Sequence, residues 1–409
     1  MRNKPDWILI LTFLLLTAIG WVSIFFTQYQ PGSFTMNSNY GMQLIWIASL
    51  WVIGLFVYII SHRFYYSYSA YIYIFFNLLM ILVLFIGVER SGAKSWLGIG
   101  GFGIQPAEFA KYGTCLCLAR YLSSYKCNLT KWKNIQGAGI IILIPVVLIL
   151  LQNDTGTALS FCFLVFTLFR EGLTPWVLII GFLSILLFAL LIYFSHWAVL
   201  IGASAVFVGM LIYFYIIKRK YIIPLFIGYV AVVLFVFSVD TFYHRVLKEH
   251  QRQRIELLFG RIDDPRGIGY NVNQAKIAIG SGGLYGKGFG EGTQTKLNFV
   301  PEQSTDFIFC TIGEEHGFIG SALVIFLYGL LIWRIIYLSE KSSDTFLRAY
   351  GYSIASIFFA HVTINIGMTI GLMPVIGIPL PLISYGGSSL WAFTLMLFTF
   401  INLQAKTNR

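Results

Sequence analysis

Charge is what this sequence has least of. Of its 409 residues only 11% are Asp, Glu, Lys or Arg, and 17 are acidic. A soluble chain of this length needs far more charge to cover its surface, so a globular water-soluble fold is excluded. Cysteine is scarce as well. Cys115, Cys117, Cys162 and Cys310 fall in or near apolar stretches and Cys127 in a basic one. Cys115 and Cys117 are two positions apart, which on a helix turns them to different faces, so neither a disulfide framework nor a zinc site is written here. There is also no stretch left for a separate soluble domain. The first apolar run, from Trp7, is too long and lacks the small-residue cleavage site of a removable signal peptide, and reads as a retained helix.

What fills the chain is apolar. Hydrophobic residues make up 57% and the mean hydropathy is +0.77. Runs of about 18 or more apolar residues recur, each able to cross a ~30 Å hydrocarbon core. We place twelve spans, at 7–26, 44–60, 70–88, 106–122, 138–151, 157–169, 176–194, 198–217, 222–239, 317–333, 349–372 and 390–403. The sixth and twelfth are short. The expected fold is therefore an all-α polytopic membrane protein, residues 1–409 forming a single integral membrane domain.

A net charge of +11 invites a nucleic-acid reading, but the basic residues sit in short loops between spans, where they encode topology instead. With the N-terminus inside, the inner loops carry Arg63; Lys126, Lys131 and Lys133; Arg170; Lys218, Arg219 and Lys220; and Lys341 with Arg348. Arg2, Lys4, Lys406 and Arg409 make both ends basic, whereas the opposite short loops hold only Arg90 and Lys94. Both termini are thus expected in the cytoplasm, and the even parity admits twelve or ten spans but not eleven. Between 240 and 306 the apolar pattern stops, and parity places this long segment outside the cell. Patternless segments of that length are usually functional.

Ionisable groups at membrane depth are costly unless paired or hydrated. Glu108 and Lys111 stand three apart at the start of the fourth span, sharing a helix face as an ion pair or as working groups. Asp154, in NDTGTAL, either caps the sixth helix or enters a cavity. Asp306, in STDFIF, reads equally as a cap or as a catalytic carboxylate. Glu314 and Glu315 read as packing groups. By parity Glu108, Lys111, Asp154 and Asp306 all lie at outer helix ends, which suggests one polar cavity open to the outside. The run GSGGLYGKGFGEG (280–292), with Lys287, reads either as a flexible turn or as a contact for a diphosphate or sugar. Arg90 and Lys94 beside Trp96 form a small basic-aromatic patch that could equally anchor at lipid headgroups.

Five stretches carry a family resemblance: SGAKSWLGIGGFGIQPAEFAKYG (91–113), QNDTGTAL (152–159), QRQRIELLFGRIDDPRGIGYNVNQAKIAIGSGGLYGKGFGEGTQ (251–294), PEQSTDFIF with IGEEHGFIG (301–320), and INIGMTIGLMPVIGIPLPLISYGGSSLW (364–391). In these the chain resembles the shape, elongation, division and sporulation (SEDS) family of peptidoglycan polymerases, which includes RodA and FtsW. Residues 251–269 and Gly371-Leu372-Met373-Pro374-Val375 look nearer to the RodA branch. The resemblance implies ten spans and a large outer loop, here 240–306. Three spans then occupy a stretch where the family has one, so 174–220 is expected to hold a two-helix insertion with Lys218-Arg219-Lys220 as its cytoplasmic turn. Two positions depart from the family's pattern: Asn153 stands for its Pro, and Gln303-Ser304 for its Arg-His.

The implied activity is polymerisation of lipid II into β-1,4 glycan by an inverting glycosyltransferase, serving cell elongation and shape, with undecaprenyl diphosphate released. Asp306 matches the catalytic position. Trp96, Glu108, Lys111 and Asp154 would shape the cavity, and Lys111, Arg90, Lys94 and Lys287 are the cations available to the diphosphate, with a divalent ion such as Mg or Mn as a candidate cofactor. The implied partners are a class B penicillin-binding protein (a transpeptidase) and other elongation-complex proteins, in a bacterial cytoplasmic (inner) membrane, with the active site extracytoplasmic. A lipid II flippase and a non-catalytic scaffold are the rival functions.

Overall fold

The computed structural model describes residues 5–28, 35–36, 38–90, 92–99, 102–124, 127–217, 219–245, 249–261, 267, 269–297 and 299–407. Lys126, Lys218, Arg2, Lys4 and Arg409, used above for orientation, lie outside these, as does the side chain of Arg90.

The contacts divide the chain into two compact units, Met1–Leu173 with Asn271–Arg409, and Thr174–Tyr270. The first unit opens with α1 (Trp7–Gln28), α2 (Asn39–Ile59) and α3 (His62–Ile86). A small antiparallel sheet follows, β1 (Val88–Arg90), β2 (Ala93–Ile99) and β3 (Phe102–Ile104), with β2 in the middle. Then come α4 (Pro106–Leu122), α5 (Trp132–Leu151), and the pair α6 (Thr155–Cys162) and α7 (Val165–Arg170). The second unit holds α8 (Pro175–Tyr193), α9 (His196–Ile217), α10 (Ile222–Arg245) and α11 (Glu249–Leu258). The chain returns to the first unit with α12 (Tyr270–Ser281), α13 (Thr293–Lys296), α14 (Ile308–Lys341), α15 (Thr345–Thr369) and α16 (Gly387–Thr407).

Among the described residues ten helices are long and apolar enough to cross a membrane. The spans expected at 106–122 and 157–169 are not among them: they are α4, which carries Glu108, Lys111 and Arg120, and the broken α6–α7 pair. This is the all-α polytopic fold expected from the apolar runs. The segment between α10 and α14 is less irregular than its sequence suggests, because α11, α12 and α13 lie within it.

Burial separates the helices by role. α15 and α16 are mostly buried inside the protein, whereas the helices of the second unit expose apolar side chains nearly all round, as lipid-facing helices do. In the second unit α9 and α10 are joined by Ser204 Oγ and Tyr229 OH at 2.7 Å, and by stacking of Phe207 on Tyr229. α4 is buried on nearly every side and packs against α3, α15 and α16. Such a helix must find partners for its polar groups within the protein.

The span expected at 317–333 is longer in the structure, running from Ile308 to Lys341 across a break at Gly317 (φ 61°, ψ −155°). A break orphans backbone groups on both sides. The glycine-rich segment supplies their partners: Phe318 and Ile319 amides donate to Gly283 and Leu284 carbonyls at 2.9 and 3.2 Å, and Lys287 and Gly288 amides donate to Glu314 and Glu315 carbonyls at 3.0 Å each. A Cβ on Gly317 would stand 2.4 Å from the Gly286 nitrogen. Gly317→Ala should therefore lower thermal stability by the ~1–3 kcal/mol of strain at that backbone conformation, with the overlap in addition. An unfolding midpoint equal to wild type would contradict the close approach.

At the ends of α14 and α15 away from the 308 and 369 termini, three bidentate pairs tie the bundle. Arg170 meets Glu340 at 2.5 and 2.6 Å, Arg348 meets Glu171 at 2.8 and 2.9 Å, and Arg334 meets Asp6 Oδ1 and Oδ2 at 3.2 and 2.6 Å.

Candidate active site

The site is built around an irregular segment, 376–385, that connects α15 to α16. Gly377 has φ 75°, a conformation that suits glycine, and a Cβ placed there would lie 3.1 Å from Asp306 Oδ2. The half-buried Asp306 therefore rests its carboxylate against Gly377. The turn that carries it is stitched to the same segment: Ser384 Oγ donates to Thr305 O at 2.6 Å, and Tyr385 N to Ser304 O at 2.8 Å. Asn365 of α15, fully buried, donates from Nδ2 to Asp306 O and to Ile378 O, both at 2.7 Å. The cap position of α14 belongs to Phe307, one residue after Asp306.

Asp154 caps α6, accepting from Thr157 N at 3.0 Å and Thr157 Oγ1 at 2.9 Å. It also accepts from Gln105 Nε2 at 2.8 Å, which joins it to the start of α4. Burial pushes its carboxyl above the ordinary aspartate value, against the lowering effect of those Thr157 bonds. Two residues on, a Cβ on Gly156 would meet Ile378 and Ile376, so α6 begins directly against the connecting segment.

Glu108 and Lys111 form a buried ion pair on α4, Nζ to Oε2 2.9 Å, with side chains 2% and 0% exposed. Lys111 Nζ also lies 2.8 Å from His361 Nε2 on α15 and 5.0 Å from the Phe393 ring centroid. An ammonium has only hydrogens to give, so His361 accepts through Nε2; its Nδ1–H then donates to Pro379 O at 3.1 Å. The pair thus ends on the same connecting segment. Asp306 directly, Asp154 through Gly156, and the Glu108–Lys111 pair through His361 are thus linked to one segment, 376–379, from positions up to two hundred apart in sequence.

The remaining candidates take other places. Trp96 is half-buried on β2, opposite Val88. Lys94 folds back onto the end of α3, Nζ donating to Leu84 O at 2.9 Å and Phe85 O at 3.2 Å, while its amide donates to Gln152 O at 3.0 Å. Lys287 stands apart: it pairs with Glu314 at 2.7 Å and bonds Thr293 Oγ1 at 2.7 Å. Glu314, fully buried, also collects the amides of Gln294 and Thr295 at 2.9 Å each, closing the glycine-rich loop. In the glycine-rich loop the amides at 286–288 and 290 are bonded to α14, to Glu315 or within the loop itself, which takes these donors away from a diphosphate. Lys94, Lys111 and Lys287 are likewise engaged inside the protein. Among the described residues no group of three His, Cys, Asp or Glu side chains could hold a metal ion.

Sequence reasoning missed Gln105, His361, Asn365, Ser384 and Ser388, whose hydroxyl accepts from Gln105 N at 3.1 Å. The available signal was a histidine and an asparagine inside an apolar span, where polar side chains are costly.

The chain matches the cell cycle protein family model of FtsW, RodA and SpoVE over residues 6–203 and 197–409. It is 33% identical over 428 residues to the peptidoglycan glycosyltransferase RodA of Treponema pallidum, covering 98% of both chains. It is 35% identical over 332 residues to the peptidoglycan glycosyltransferase MrdB of Escherichia coli K12, covering 81% of this chain and 76% of that one. Among solved structures, a chain from a peptidoglycan synthase complex that coordinates polymerisation and crosslinking matches with a TM-score of 0.72 at 25% identity, 98% of each chain covered. RodA of Thermus thermophilus shares the fold, with a TM-score of 0.64 at 24% identity and 99% and 98% covered. Matched along its whole length, this membrane chain belongs to the FtsW/RodA/SpoVE family of cell cycle proteins.

Proposed function

We infer that this multi-pass membrane protein is an inverting peptidoglycan glycosyltransferase that polymerises lipid II during cell elongation. The observation that carries the reading is the linkage of Asp306, Asp154 and the Glu108–Lys111 pair to the 376–379 segment, in a chain whose relatives are named for this activity. Asp306 acts as general base. It takes the proton of the acceptor 4-hydroxyl as that oxygen bonds to the donor's anomeric carbon, and the bond to the lipid diphosphate breaks with its electron pair on the leaving oxygen. An α-linked donor then gives a β-1,4 product, with a single displacement and one base. Asp154 with Gln105, and the buried pair with His361, hold the walls from which the sugars are oriented. Trp96 offers a face for a sugar ring.

The leaving diphosphate needs cations, because charge develops there. Lys94, Lys111 and Lys287 make bonds within the protein; Arg90, whose side chain lies outside the described residues, is proposed as a cation for the diphosphate. A divalent ion is proposed only as a companion of the substrate's diphosphate, from which magnesium ordinarily takes ligands. Incubation of the purified protein with labelled lipid II should give glycan ladders on a gel. Transbilayer movement of lipid II without ladders would support a flippase instead, and neither would leave a scaffold.

The partner is a class B penicillin-binding protein, since the apolar passes leave no domain to cross-link the glycan and a structural relative comes from a complex that couples the two reactions. The co-purified pair should polymerise faster than the chain alone; equal rates would remove the dependence.

The orientation follows the basic loops. α8 and α9 are read as the two inserted helices, with the turn at Arg219–Tyr221 in the cytoplasm. A cysteine at Arg219 should resist a membrane-impermeant thiol reagent in intact cells of the bacterium and react after lysis. Labelling in intact cells would overturn the twelve-pass orientation.

A further inference from the structure

Asn365 is in an unusual position for a buried amide. Its two Nδ2 hydrogens go to two carbonyls on different segments, Asp306 O and Ile378 O, each at 2.7 Å. One acceptor belongs to the residue whose carboxylate is read as the base. The other is the neighbour of Gly377, against which that carboxylate rests. A single side chain therefore sets the spacing between the backbone that carries the base and the surface that supports it. Because both partners are acceptors, only the amide nitrogen can face them, and the side chain has no alternative orientation that keeps both bonds.

We propose that Asn365 is a positioning residue for glycosyl transfer, acting through Asp306; the proposal rests on Asp306 being the base. The fold itself does not depend on Asn365 alone. The turn before α14 keeps its bonds from Ser384 Oγ to Thr305 O and from Tyr385 N to Ser304 O when the amide is removed. What is lost is the bond on Asp306 O itself, the residue between Thr305, held by Ser384, and Phe307, whose amide donates to Glu302 O at 3.2 Å. A base must sit within hydrogen-bond reach of the hydroxyl it deprotonates, and misplacement by about 1 Å costs ~10²-fold in rate.

A control exists in the same molecule. Asn402 of α16 is equally buried and donates from Nδ2 to Val57 O at 2.5 Å and Ile60 O at 2.8 Å, at the end of α2. It performs the same chemistry without touching the site. In lipid II polymerisation by the purified protein with its transpeptidase partner, Asn365→Ala should lower kcat by ~10–10²-fold while KM stays within about threefold. Asn365→Asp keeps the shape with at most one hydrogen to give, and should fold and show the same kcat loss if the alanine variant is unstable. Asn402→Ala should lower the unfolding midpoint and leave kcat of the folded protein unchanged. Wild-type kcat in either folded Asn365 variant would overturn the proposal, as would an equal kcat loss in Asn402→Ala. Asp306→Asn, assayed alongside, separates the two readings. If it is inactive while Asn365→Ala turns over normally, only the positioning role fails; if it is active, the base assignment fails first.

Discussion

Lys111→Met should destabilise the protein by ~3–5 kcal/mol, the cost of leaving one member of a buried ion pair without its partner. The methionine fills much of the lysine's volume, so the loss is electrostatic rather than a cavity. Glu108 would be left 2% exposed with its carboxylate facing no cation, and His361 Nε2 would lose its donor. Against a total stability of ~5–15 kcal/mol such a change is large, and the variant should melt well below wild type in detergent. Glu108→Leu combined with Lys111→Met removes both charges and should recover much of the loss, because a buried pair exchanged for apolar groups is often neutral. The double variant should also retain more polymerisation than Asp306→Asn. A single variant that melts with wild type would contradict the buried pair, and an inactive but stable double variant would move it from the walls into the chemistry.

The apolar runs located most passes, because length and composition decide whether a helix can cross lipid. Two features defeated that reading. The start of α14, from Ile308, carries Glu314 and Glu315, so its apolar pattern begins only at the break at Gly317. The carbonyl and amide exchange with residues 283–288 that makes the break tolerable is not encoded in any local pattern. Within the site, the carboxylates were legible because acidic residues are rare in this chain, and Asp306, Asp154 and Glu108 stood out against an apolar background. Their meeting point was not. Lys111 finds His361 at 2.8 Å across 250 positions, a contact that a single sequence does not announce. The cations misled for a related reason. Lys94 and Lys287 lie near the expected surface, but helix-end carbonyls and a buried glutamate take up their donors.

A flippase would have to open the opposite end of the bundle to admit its substrate. That end is tied by Arg170–Glu340, Arg348–Glu171 and Arg334–Asp6, each bidentate and drawn from helices distant in sequence. The pairs are partly exposed and individually weak, but together they join α7, α14, α15 and the start of α1. The carboxylates that define the candidate site lie at the other ends of α14 and α6, an asymmetry suited to chemistry on one face. Transporter sites, by contrast, sit near the midplane.

The most direct test of the account is the rate of glycan synthesis by Asp306→Asn beside wild type, each purified with the transpeptidase partner and supplied with labelled lipid II. Asn keeps the shape of Asp306 and can still hydrogen-bond, and the backbone bonds from Asn365 and Ser384 do not involve the side chain. Folding, insertion and partner binding should therefore be unchanged. What disappears is the ability to accept a proton, which typically contributes ~10²–10⁴-fold. The sugar hydroxyl is a far weaker acid than a carboxylic acid, so the base can take its proton only as the new bond forms, and the asparagine cannot take it at all. The account predicts intact, partner-bound Asp306→Asn with glycan synthesis reduced at least ~10²-fold. Ladders formed by that variant at close to the wild-type rate would contradict it, and would turn attention to Asp154 and Glu108.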